Sequence, residues 1–163
     1  MTPAPDIRIV PATERDTATI HSLIQGLAEY ERLQDEMEAT EDDVREALFG
    51  DWPAAEAVIA YVGAEVVGYA MFYHTFSTLL GKRGLYLEDL FVVPAFRKRG
   101  VGRRLLSAVA RIAVERRCGR LEWSVLKWNE SAIRFYESLG AVPMGEWIVY
   151  RLAGDALARA ADL

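Results

Sequence analysis

The sequence predicts an α/β (α+β) fold: a mixed, mostly antiparallel central sheet with helices on both faces. Three observations lead there. Apolar residues recur at helical spacing before residue 50. Three strand-like runs then follow one another between Ala57 and Val93. A strand–helix–strand unit comes next, from the run ending at Val93 through helical spacing over 102–117 to Leu121–Leu126. Strands joined directly favour antiparallel pairing, and a helical crossover favours parallel pairing, so the sheet is mixed.

The elements read in order as follows. Ile7–Val10 is a short first strand. Thr13 and Asp16 have the spacing of a capping box, with Asp in the Glu position, and Ile20, Leu23, Ile24 and Leu27 give the following helix its apolar face as far as about Leu33. Thr40 and Asp43 repeat the start signal for a shorter helix ending near Gly50. Runs 57–62 and 66–73 flank the hairpin-length turn Gly63-Ala-Glu65, and run 85–93 stops at Pro94. After the crossover helix and the strand 121–126, a short helix over 131–139 closes at Gly140, a position suited to a left-handed backbone. Trp147–Leu152 reads as a last strand, followed by an Ala-rich tail with helical character from Gly154.

Length and composition narrow the function. The 163 residues have the size of one domain, taken as 1–163. Net charge is −5, which disfavours a general nucleic-acid binder. One cysteine, Cys118, and two histidines, His21 and His74, leave no disulfide framework and no zinc cluster of usual spacing, so no metal is expected. No apolar run reaches the ~18 residues of a membrane span, and the first residues lack a leader pattern, so a soluble cytoplasmic protein is expected. The charges themselves are segregated. Nine acids against two arginines lie between Glu29 and Glu46, and nine bases against one acid lie between Arg97 and Arg120. One region suits a cation and the other a polyanion.

The sharpest local signal is Arg97-Lys98-Arg99-Gly100-Val101-Gly102, after a strand and at the start of a helix. Two glycines and the open amides of a helix N-terminus make a donor surface for phosphate, ringed here by Arg97, Lys98, Arg99, Arg103 and Arg104. A P-loop would need Gly-Lys-Ser/Thr and a dinucleotide turn a third glycine, and neither is present. A second motif, Asn129-Glu-Ser-Ala132-Ile-Arg-Phe-Tyr136 with Gly140, follows about thirty residues on. With these two motifs and this element order, the whole chain resembles the GCN5-related N-acetyltransferase (GNAT) superfamily. Within it, Leu27-Ala-Glu-Tyr30-Glu31, Gly68-Tyr-Ala-Met-Phe-Tyr73, Tyr86-Leu-Glu88-Asp89 and Trp128-Asn129-Glu130 are most similar to the diamine (spermidine/spermine) and thialysine acetyltransferases.

That resemblance implies acetyl-CoA as co-substrate and a small cationic amine as acceptor. It implies that the strand edge at Leu90, Phe91 and Val92 pairs with the pantetheine arm, and that Arg97, Lys98, Arg99, Gly100, Val101, Gly102 and Arg103 bind pyrophosphate. Asn129 and Ala132 would contact the cofactor. Tyr136 would act as general acid, and Glu88 would meet the amine and take its proton through water. Tyr30, Glu31 and Asp89 would line the acceptor site. A phenol titrates about 1.5 units above a thiol, so complete proton donation by Tyr136 is uphill by roughly 2 kcal/mol, and a hydrogen bond to the departing thiolate describes its role better. Adjacent strand residues alternate in direction, so Glu88 and Asp89 are expected on opposite faces. The resemblance further implies a homodimer, for which Trp147, Ile148 and Val149 are suited. The alternatives are acetylation of a protein amine or an aminoglycoside, a non-catalytic acyl-CoA sensor, and a nucleic-acid module built on 97–120.

Overall fold

The computed structural model describes residues 6–162; the first residues, on which the expectation of no leader rests, lie outside them. The chain packs as two compact units that divide between Ser124 and Val125.

The first unit holds one sheet in the order β1-β2-β3-β4-β5. Its strands are β1 (Ile7–Pro11), β2 (Glu56–Val62), β3 (Glu65–Ser77), β4 (Lys82–Val92) and β5 (Leu121–Trp123), and its helices α1 (Thr17–Glu31), α2 (Glu41–Phe49) and α3 (Val101–Glu115). The first four strands pair antiparallel. β5 joins β4 in parallel, as a crossover through α3 requires.

Both faces of the sheet are covered. Ile20, Leu23 and Leu27 of α1 and Val44 and Leu48 of α2 form one core with Ala57, Ile59, Tyr69 and Phe91. The alternate positions of β2, Val58 and Ala60, are also buried, and α3 packs on β1, β2, β3 and β4 with its own buried stripe of Val101, Leu105, Leu106, Val109 and Ala113. Thr40 and Asp43 form the expected capping box at the start of α2. The box at Thr13 and Asp16 also forms, but it caps a single 3₁₀ turn before α1.

The second unit contains α4 (Glu130–Glu137) and α5 (Gly154–Ala161). Gly140 lies at φ +85°, the left-handed stop expected after α4. The last strand expected at Trp147–Leu152 is absent, and the strand expected over 121–126 ends at Trp123. Propensity alone does not make a strand: residues 147–152 enter no ladder among the described residues, and Trp147, Ile148, Val149 and Tyr150 are 74–88% exposed. Among the described residues no helix is long and apolar enough to cross a membrane.

β3 and β4 approach closely at Gly68, where a Cβ would lie 2.5 Å from the Phe91 carbonyl oxygen. Backbone cannot yield as a side-chain tip can. Gly68→Ala is therefore expected to lower stability by about 1–3 kcal/mol, read as a fall in urea midpoint at unchanged slope. An unchanged midpoint would show that the two strands can part there.

Candidate active site

β4 is paired unequally on its two edges. On the β3 side its ladder runs from Lys82 to Val92. On the other side β5 pairs only with Leu85, Tyr86 and Leu87. The Val93 amide donates to the Val67 carbonyl, which sets the phase of the antiparallel ladder. Phe91, opposite Tyr69, then turns its peptide groups toward β3, whereas Leu90 and Val92 turn theirs to the edge that β5 has left. Of the three residues expected to offer backbone to a pantetheine arm, Leu90 and Val92 face the open edge. Phe91 instead puts its ring into the core under α1.

The expectation that Glu88 and Asp89 face opposite ways is corrected by a β-bulge. Met71 pairs with Asp89 and Phe72 with Leu87, so Glu88 is an extra residue with no partner on β3. The bulge flips the phase of β4. Before it Leu87 sits opposite Phe72; after it Asp89 and Phe91 lie with Met71 and Tyr69 on the α1 face. Both acids lie close enough to the end of α1 that each raises the pKa of Glu31 and of Tyr69.

Glu31 arrives there because α1 crosses β4 at Gly26. A Cβ at that position would meet the Phe91 ring at 3.0 Å, so glycine lets the helix settle onto the strand. Tyr30 follows four residues later on the same helical face, with Glu31 beside it. Burial raises the pKa of Glu31 most, and the charges of Asp89 and Glu88 add to it. Asp89 is pushed to about 6, chiefly by burial and further by Glu88, against a lowering hydrogen bond from Tyr69. That bond, Tyr69 hydroxyl to Asp89 Oδ2, spans 2.7 Å, and Tyr69 is fully buried. Tyr69 was not singled out in the sequence as a site residue; its place in an apolar strand run conceals a hydroxyl that holds a carboxylate. Among the described residues, none of Glu31, Glu88 and Asp89 forms an ion pair.

The glycine turn takes the form its sequence predicts. Gly100 is the N-cap of α3 at φ +85°, which favours glycine, and it has no side chain to cap the first-turn amides. Lys98 is also left-handed, at φ +60°. Val101 is buried and anchors the helix start, while Lys98, Arg99 and Arg103 are exposed. Gly102 has an ordinary helical backbone, and a Cβ there would only touch Val92 at 3.7 Å. The protein's own packing does not require that glycine, so its bare surface beside open amides and cations fits the close approach of a diphosphate. Arg97, expected among the pyrophosphate ligands, is engaged elsewhere: its Nε donates to the Val92 carbonyl at 3.0 Å, and its guanidinium lies over the Tyr30 ring at 4.3 Å.

In the second unit, Asn129 is the N-cap of α4 and its Oδ1 accepts from the Ala132 amide at 3.3 Å. Of the cofactor contacts expected for this pair, the Ala132 amide is used within the helix cap. Phe135 and Tyr136 are half-buried, with ring centres 5.3 Å apart. His74 Nε2 lies 3.0 Å from Arg116, which also grips Glu56.

The native state holds the Asp89 proton to about pH 6, whereas an unfolded chain releases it near pH 4. Because the folded pKa is the higher one, stability is greatest below pH 4 for this group and declines as pH rises through 6, by about 3 kcal/mol. Asp89→Asn is expected to remove that decline and to exceed the parent in urea stability at pH 7.5. Parallel pH profiles for the two proteins would count against a strained carboxylate.

Comparisons with known proteins agree with this geometry. The Acetyltransferase (GNAT) family model matches residues 24–141. Thialysine N-epsilon-acetyltransferase from Bos taurus is 36% identical over 162 residues, covering 93% of this chain and 95% of that protein. L-ornithine N5-acetyltransferase from Arabidopsis thaliana is 32% identical, covering 92% of this chain and 86% of that protein. Among solved structures, an integron cassette protein from V. cholerae superposes with a TM-score of 0.80 at 26% identity, covering 96% of this chain and 98% of that one. With β4 open on one edge, the glycine turn at its end and the family match over most of its length, the chain belongs to the GNAT family of acetyltransferases.

Proposed function

We propose that this acetyltransferase moves the acetyl group of acetyl-CoA, the co-substrate of its family, onto a primary amine of a small dicationic or diamino-acid substrate: a diamine, a polyamine or a thialysine-like amino acid. One observation carries the acceptor class. Three carboxylates, Glu31, Glu88 and Asp89, crowd the α1 face of β4 without an ion-pair partner, and two of them have raised pKa values through burial and mutual repulsion. A bound ammonium relieves that repulsion, and a second cationic centre relieves more of it. The relatives named for thialysine and ornithine act on amino acids with a side-chain amine, which fits the same chemistry.

When bound, acetyl-CoA supplies an activated acyl carbon. The chain's residues do the remainder. The Leu90 and Val92 peptide groups are placed to hold an extended ligand along the open edge of β4, and an amide there polarises a carbonyl as its oxygen gains charge. Glu88 is exposed and binds the ammonium, taking its proton through water before the amine nitrogen attacks. As the new C–N bond forms and the C–S bond breaks, the nitrogen's second proton passes through water to the departing thiolate, which the Tyr136 hydroxyl stabilises by a hydrogen bond, the role its motif implies. The cytoplasm, where acetyl-CoA is available and a lone thiol such as Cys118 stays reduced, suits this reaction.

A turnover assay with acetyl-CoA and spermidine, putrescine, thialysine, ornithine, lysine and an aminoglycoside tests the assignment. Diamines or diamino acids are expected to lead by at least tenfold in kcat/KM. Preference for the aminoglycoside, or no turnover of any amine, would overturn it. Glu88→Gln is expected to reduce kcat/KM for the amine about 100-fold, and Tyr136→Phe to reduce kcat by a similar factor, within the usual range for proton-transfer groups; coenzyme A affinity should stay within about threefold in both.

The exposed run Trp147–Tyr150 supports pairing with a second copy of the chain, since a patch this apolar is rarely left to solvent. Ile148→Asp is expected to shift a dimer to monomer in sedimentation. A monomeric parent would dismiss the pairing.

A further inference from the structure

Arg97 sits in the turn between β4 and α3, yet its side chain leaves that turn. Its Nε donates to the Val92 carbonyl, one of the groups that the ladder turns toward the open edge of β4. Its guanidinium carbon lies 4.3 Å from the centre of the Tyr30 ring and 5.6 Å from that of Phe91. One planar group therefore touches the last turn of α1, the end of β4 and, through its own backbone, the glycine turn. Arginine is suited to this in a way lysine is not: it hydrogen-bonds in its plane while stacking by its face. Arg97 itself is extended, and the turn begins with the residue that follows, Lys98, at φ +60°.

We propose that Arg97 is a positioning residue that couples the glycine turn to the amine-facing end of α1, so that filling the coenzyme A site orders Tyr30 and Glu31. The inference rests on the reading of this turn as the coenzyme A site and goes beyond it by linking the two substrates. A ligand that orders the turn orders the guanidinium, and the guanidinium holds the Tyr30 ring. Glu31 is the next residue of the same helix end, where Arg32 takes a left-handed conformation and Leu33 closes back on Ala28. Linkage requires reciprocity: an amine bound beside Glu31 tightens coenzyme A by the same factor by which coenzyme A tightens the amine.

Amide hydrogen exchange on the full chain, with and without coenzyme A, tests this without reference to any particular amine. In the parent, coenzyme A is expected to slow exchange at residues 98–104 and also at 28–33, by about tenfold at the second site. In Arg97→Lys, protection at 98–104 should persist and protection at 28–33 should be lost. No response at 28–33 in the parent, or the same response in Arg97→Lys, would overturn the coupling. Tyr30→Leu removes the ring from the other side and should give the same loss with Arg97 in place, which decides the matter even where Arg97→Lys does not fold. Kinetically, Arg97→Lys should raise KM for a diamine about tenfold at saturating acetyl-CoA with kcat within about twofold. A plain pyrophosphate ligand would instead weaken coenzyme A and leave that KM unchanged. If the parent acetylates none of the amines tested, the proposed activity falls while the exchange result still decides the coupling. If coenzyme A gives no protection at 98–104 in the parent, both fall together.

Discussion

The site depends on β4 being paired along one edge and released along the other. A strand paired on both edges has no peptide groups to spare, and one paired on neither does not hold its shape. β4 meets both demands. Its ladder with β3 is tight enough that Gly68 lies under the Phe91 carbonyl, while β5 lets go after Leu87. The bulge at Glu88 falls where β5 departs. One inserted residue thus coincides with the end of one kind of pairing and moves Asp89 onto the face where α1 brings Glu31.

The net charge of −5 conceals this arrangement. Acids gather where the end of α1 meets β4, and bases gather at the start of α3. Arg97 stands between them with its charge turned to the Tyr30 and Phe91 rings rather than to a carboxylate. That choice matters. An arginine paired with Glu31 or Asp89 would neutralise the cluster and weaken its attraction for an ammonium. Placed on aromatic faces, it connects the two regions and leaves the acids unneutralised.

Much of this was legible in the sequence, because it rests on local rules. The helix periods, the capping boxes at Thr13 and Thr40, the left-handed glycines at 100 and 140 and the parallel crossover each follow from a few neighbouring residues. The departures share one cause: they depend on partners distant in the chain. Alternation from Leu85 to Phe91 cannot reveal a bulge, since the extra residue is defined only by the strand opposite. Nor does the run at 147–152 disclose that it lacks a ladder. Arg97 stands in the sequence among candidate phosphate ligands, and its contact with Tyr30, far earlier in the chain, is visible only in the fold. Gly26 carried a faint signal, as a helix-weakening residue in an otherwise strong helical stretch.

The strained acid cluster also bears on how an amine could react. An amine with a pKa near 10 reaches the site as an ammonium and must lose a proton before it can attack. An ordinary carboxylate, titrating near 4, is a poor resting place for that proton at neutral pH, and a carboxyl held near 6 is a better one. Asp89 reaches that range because it is buried beside Glu88, even though the Tyr69 hydroxyl pulls the other way. The desolvation that makes the folded protein less stable at high pH is therefore the same property that brings this carboxyl closer to the working range of a proton acceptor. In the proposed mechanism exposed Glu88, the preceding residue, takes the proton through water, and Asp89 behind it is a carboxyl to which that proton can pass. On that proposal stability and proton handling draw on one feature, and relieving the strain at Asp89 improves the first at the expense of the second.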